Sequence, residues 1–252
     1  YGCVEQTTSK MLASLNVKNY YIDRDRPADW DRIRNTVNSS VAGGVTKLLA
    51  GGEVGQNTEG DSAGGWSLWG GEPSESSSSS YAGYTLARII SDEGDLDHLL
   101  NGKVSNGTEV KPDTVNFEKL IWWFHENPDD KGSGTWKWSA DVCHSWTPES
   151  NTAFVMLIHD MINKTVELDE EHRGYMEDNM RNATRYFVDT QNQDGSWSSG
   201  DDQAMATALA LWGLEAFALP SDNVSVDQIT TAKEKAKTWL IDDAQDSDGS
   251  WP

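Results

Sequence analysis

Residues 193–200 read QDGSWSSG and are followed, three residues on, by AMATALALWGLEAFAL (204–219). The first is a Gly-x-Trp turn. The second is apolar almost all round, the pattern of a helix buried on all sides. The same succession occurs twice more: GGWSLWGG (64–71) precedes an apolar segment at 81–90, and GTWKW (134–138) precedes one at 153–162. The chain then closes on SDGSWP (247–252), and the last two turns share Gln-x-x-x-Gly-x-Trp, from Gln191 to Trp197 and from Gln245 to Trp251. Between these units lie segments with one apolar stripe and one charged face, at 29–49, 113–125, 172–190 and 226–241. No convincing strand alternation interrupts the helical period. A repeat of roughly fifty to seventy residues, each a turn, an inner helix and a solvated outer helix, implies an array of helical pairs. Pairs with all-apolar inner members close most naturally into two concentric rings. The reading is an all-α, single-domain α/α toroid over 1–252, expected to be incomplete beyond SDGSWP. The low-complexity stretch EPSESSSSSY (72–81) predicts a flexible Ser-rich loop over 72–80.

The chain has 252 residues, 37% of them hydrophobic, twelve tryptophans and a net charge of −21. Such a chain can bury a substantial core. Its acidity argues against nucleic acid and against anionic membranes, both of which need clustered Lys and Arg. The longest apolar run carries Glu215 and is too short to span a bilayer, so no membrane insertion is expected. Two cysteines are too few for a disulfide scaffold. The absence of an initiator Met and of a signal peptide suggests a processed piece of a longer protein. Asn-x-Ser/Thr sequons at Asn38, Asn106, Asn163, Asn182 and Asn223 are glycosylation candidates, and they favour an extracellular, cell-surface or periplasmic location.

The chain begins YGCVEQTTSK. A Cys3 thiolate can attack the side-chain amide of Gln6, expel ammonia and close a thioester ring across Val4 and Glu5. Gly2 permits close backbone approach, and Glu5 either holds the loop or is an exposed carboxylate at a helix start. The plainer reading of Cys3 is a small buried hydrophobe. The second cysteine lies in ADVCHSW (140–146), where Asp141, Cys143 and a downstream histidine such as His159 or His172 offer zinc ligands. Cys143 also stands open as a disulfide partner of Cys3 or a bystander. Of the other histidines, His98 follows an acidic loop and His125 ends an amphipathic helix. His159 falls in a buried helix as a packed residue, and His172 sits among charges at a helix start.

The repeat resembles the toroid superfamily of terpene cyclases, protein prenyltransferases and thioester domains. The cyclase aspartate patterns are missing; SGDDQA (199–204) and DEGDLD (92–97) lack the spacing and read as solvated faces. The Asp141–Cys143 pair is similar to the prenyltransferase zinc motif, but basic residues for a diphosphate are sparse. YGCVEQTTS is similar to the thioester motif of bacterial alpha-macroglobulins, with Val4 where animal members of the alpha-2-macroglobulin and complement family carry glycine. The resemblance implies a covalent trap acting once per molecule, not a turnover enzyme, with no cofactor besides the internal thioester. Its partners would be a target protease or cell-surface nucleophiles, and the other domains of a larger parent. It also implies a histidine beside the thioester after a Gly-aromatic turn, a place that His144 fills. The alternatives are a zinc-dependent prenyltransferase-like enzyme and a carbohydrate-active or carbohydrate-binding toroid.

Overall fold

The computed structural model describes residues 3–21, 24–49, 55–57, 60–69, 73–93, 104–105, 108–109, 116–129, 133–136 and 147–245. The chain is all-α. Eight α-helices occur among these residues: α1 (Val4–Tyr20), α2 (Trp30–Leu49), α3 (Ser76–Glu93), α4 (Phe117–Glu126), α5 (Pro148–Thr165), α6 (Glu170–Thr190), α7 (Gln203–Phe217) and α8 (Val226–Thr238). A π-helical turn, Trp239–Ala244, continues α8. The one ladder of strands among the described residues is a two-residue hairpin pairing Val104–Ser105 with Thr108–Glu109. No described helix is long and apolar enough to cross a membrane. The chain has two compact units, residues 1–120 and 121–252, and the boundary between them falls within α4.

In the first unit α1 packs against both α2 and α3. In the second, α5 packs most extensively on α7, α6 packs against α5, and α8 packs against α7. Helix starts follow capping chemistry. Thr147, Asp169 and Ser225 each accept the N3 backbone N–H of α5, α6 and α8, and Ser225 forms a reciprocal capping box with Gln228.

The three Gly/Trp turns are built alike. Each indole is fully buried, and its Nε1–H donates to a carbonyl on the preceding helix: Trp66 to Leu48, Trp136 to Phe124 and Trp197 to Phe187, at 3.0, 3.0 and 2.9 Å. Each Trp backbone N–H donates to a hydroxyl on the following helix: Ser79, Thr152 and Thr207, at 2.8, 3.3 and 2.9 Å. The carbonyl before each Trp accepts from the backbone N–H of Asn57, Asp129 and Asn192, each at 2.9 Å. The glycine two residues before each Trp has positive φ, +99° at Gly64, +72° at Gly134 and +99° at Gly195. A Cβ there would collide with backbone of a later helix, at Lys119, Asn182 and Lys235 respectively. Glycine is therefore required twice over, by its left-handed backbone and by the close approach. Gln191 completes its turn by donating to Gly195 and Ala232, and Gln56 does the same for the first turn through Gly64 and Asn116. These roles are structural.

Two expectations are corrected. The Ser-rich stretch is not a loop over 72–80: Ser76–Ser80 form the first turns of α3, and all five are buried. Short hydroxyl side chains let this helix start enter the core, because Ser78, Ser79 and Ser80 find partners there, while Ser77 Oγ is buried without one among the described residues. Ser80 Oγ donates to Ser76 O, Ser78 Oγ to Glu75, and Ser79 accepts from Trp66. Nor is 204–219 buried all round. Ala206, Thr207, Ala210, Gly213 and Leu214 are buried, whereas Met205 is 39% and Trp212 51% exposed. Small residues line the packed side, and Gly213 lets α7 approach Ala153 of α5 to contact distance.

Candidate functional site

Cys3 is the N-cap of α1 and Gln6 its N3 residue. Cys3 is extended (φ −67°, ψ 175°) and 5% exposed, and its Sγ accepts the Gln6 backbone N–H at 3.5 Å. The Thr7 N–H bonds the Cys3 carbonyl at 3.0 Å, and Thr8 Oγ1 donates to the carbonyls of Val4 and Glu5. The Val4 N–H reaches the Leu68 carbonyl of the first Gly/Trp turn at 3.3 Å. This bond ties the start of α1 to the chain beside Trp69, whose side chain is 49% exposed.

The two candidate partners thus face different environments: the thiol is buried and the Gln6 side chain is exposed. Between α1 and α2 lies a groove of about 230 Å³ lined by Gln6, Thr7 and Lys10 of α1 and by Ser39, Ser40 and Lys47, with two glycines, of α2. A small nucleophile fits such a space. Glu5 lies in the first turn of α1, where a carboxylate complements the helix dipole. Gly2, Asp141, Cys143 and His144 lie outside the described residues, as do His98 and Asn106. Of the remaining sequons, Asn163 and Asn223 are exposed, while Asn38 and Asn182 are half-buried.

Three of the other histidines, His159 and His172 among them as zinc candidates, are placed by the fold. His172, in the first turn of α6, bonds Asp169 at 2.7 Å through Nδ1. That bond and the His172 backbone N–H hold the Asp169 carboxyl below its ordinary value. His159 is fully buried on α5; its Nδ1 bonds the Val155 carbonyl at 2.7 Å and its Nε2 bonds Asn179 Nδ2 at 3.1 Å. His125, at the end of α4, bonds the same Asn179 through Nδ1. Sequence reasoning missed this pairing of His159 and His125 through one amide, because the three residues share no local motif.

Burial pushes His159 down from 6.5 to about 4, against the weaker opposing effect of the Val155 hydrogen bond. The native imidazole therefore refuses a proton that the unfolded chain accepts below about pH 6.5. Stability is unaffected above that value, falls as the pH drops from 6.5 towards 4, and levels off below. The full loss is about 3 kcal/mol. Urea unfolding of the native chain and of His159→Gln at both ends of this window isolates the effect. The variant is expected to be weaker at neutral pH and to lack this part of the acid slope.

No protein-family model and no curated protein matches this chain.

Proposed function

We propose that this chain is a thioester domain of α/α-toroid form, which acylates a protease or a surface nucleophile through Gln6 after its larger parent is cleaved. The observation that carries the reading is the Cys3–Gln6 geometry at the start of α1. In a capping box the N3 side chain folds back towards the N-cap. With Cys at the N-cap and Gln at N3, the same fold-back would bring the amide carbon towards the sulfur. Cys3 Sγ already accepts the Gln6 N–H, and its burial keeps water from the sulfur side of the bond. The toroid is supported by the three matching turns and by the close packing of α5 on α7, the helices that follow two of them. The acidic surface and the sequons support an exported setting.

The chemistry balances without a cofactor. Cys3 sulfur bonds to the Gln6 side-chain carbonyl carbon, and ammonia leaves. A nucleophile then attacks that carbon, and the Cys3 thiol is released. In the proposed route His144 attacks first, giving an acyl-imidazole, and the freed thiolate serves as base for an incoming hydroxyl. The test is the intact mass of the full-length parent before and after methylamine, with thiols counted each time. A mass low by one ammonia, then a methylamide at Gln6 together with one new thiol at Cys3, is the expected result. An unchanged mass with both thiols free throughout would remove the thioester and leave the zinc and carbohydrate readings to be tested by metal and glycan binding.

A further inference from the structure

The second unit holds a pocket of about 200 Å³ at the C-terminal end of α4, lined by His125, Glu126, Pro128, Trp136, Asn179 and Asn182 among others. None of its described lining residues is Lys or Arg. Its polar groups are set in order by one buried residue. The Val155 carbonyl can only accept, so His159 Nδ1 carries a hydrogen. His159 is neutral in its dry site, so its Nε2 is an acceptor and must face the Asn179 NH₂ group. The Asn179 side chain is 4% exposed and its Nδ2 is also within 3.5 Å of the Ile121 carbonyl. Turning the amide over would set its oxygen against an acceptor on both sides. The Asn179 oxygen consequently points at His125 Nδ1, 3.3 Å away, and that nitrogen must donate. With Nδ1 donating, Nε2 is the position at which a neutral ring holds its lone pair, and it has no partner among the described residues. The ring is also held by Tyr175, with centroids 4.6 Å apart and planes 33° from parallel.

We propose that this pocket binds a small organic cation, an ammonium or guanidinium group, which donates to His125 Nε2 and is balanced by Glu126. Three features converge on that charge. A neutral imidazole there offers its acceptor at Nε2, Glu126 supplies a carboxylate, and the C-terminal end of α4 carries the negative end of its dipole. Half-buried Pro128 gives the pocket an apolar contact for the carbon part of the ligand. Asn182 is also a sequon residue, so a glycan there would stand at this pocket. The inference is independent of the thioester reading.

The experiment is a titration of the ¹⁵N-labelled full chain with methylguanidinium chloride at about pH 8, following the His125 ring nitrogens at constant ionic strength. The guanidinium ion is protonated there and is not a nucleophile, so a thioester elsewhere does not respond. The free protein is expected to show a protonated Nδ1 and a bare Nε2 on His125, and the Nε2 signal to shift with saturation. Glu126→Gln, at an exposed position, should retain the fold and weaken binding about fivefold, the scale of an exposed ion pair. Sodium acetate should produce no saturable shift. A linear response to methylguanidinium, an equal response to acetate, or an affinity unchanged in Glu126→Gln would each overturn the proposal.

Discussion

Replacing Gly195 by alanine is expected to destabilise the second unit by about 3 kcal/mol or more, lowering the melting temperature by roughly 10 °C. Two costs combine. At φ +99° an alanine side chain is strained whatever the surrounding space. Its Cβ would also lie 2.6 Å from the Lys235 carbonyl oxygen, a backbone atom that cannot move without shifting α8. Gly134 carries the same double cost against Asn182 of α6. Two other glycines separate the causes. Gly200 has φ +78° but open space, so Gly200→Ala should cost only about 1–2 kcal/mol. Gly174 sits exposed within α6 with open space where a methyl would stand, and Gly174→Ala should stabilise by about 0.5–1 kcal/mol. Thermal unfolding of the four variants checks the order. If Gly195→Ala cost no more than Gly200→Ala, the turn would not be clamped on α8.

That order of effects also explains what the sequence made legible. The turns announced themselves because glycine and tryptophan are each demanded by local geometry, and the helices because their apolar period survives without knowledge of neighbours. The partners of the turns were hidden. Ser79, Thr152 and Thr207 are ordinary hydroxyls until a Trp N–H is seen to reach them, and Gln56 meets Asn116 sixty residues away. Composition misled at two places for one reason: it reports polarity, not packing. Serines read as a loop fit a crowded helix start, and an apolar run read as fully buried leaves Met205 and Trp212 open to solvent. At the site, the Cys3–Gln6 spacing could be read because it is three residues long. The His125–Asn179–His159 chain could not, because it is assembled by the packing of α4, α5 and α6.

The largest chemical effect should come from Cys3. In the full-length parent, Cys3→Ala is expected to abolish both the ammonia loss and the methylamine adduct, because no other atom can take the sulfur's place on the Gln6 carbon. Gln6→Glu should do the same, since a carboxylate has no amine to expel. Both are expected to keep α1: Thr7, Thr8 and the Leu68 carbonyl still hold its first turn, and a thiol is a weak cap to lose. Circular dichroism and thermal unfolding of the same samples separate this from misfolding. His144→Ala should divide the reactivity instead of removing it. A primary amine is nucleophilic enough to attack the thioester directly, so methylamine incorporation should persist. A hydroxyl needs the acyl-imidazole step and a base, so transfer to glycerol should fall on the order of a hundredfold. Equal loss of both activities in His144→Ala would place that histidine in forming or shielding the thioester and not in passing it to a hydroxyl.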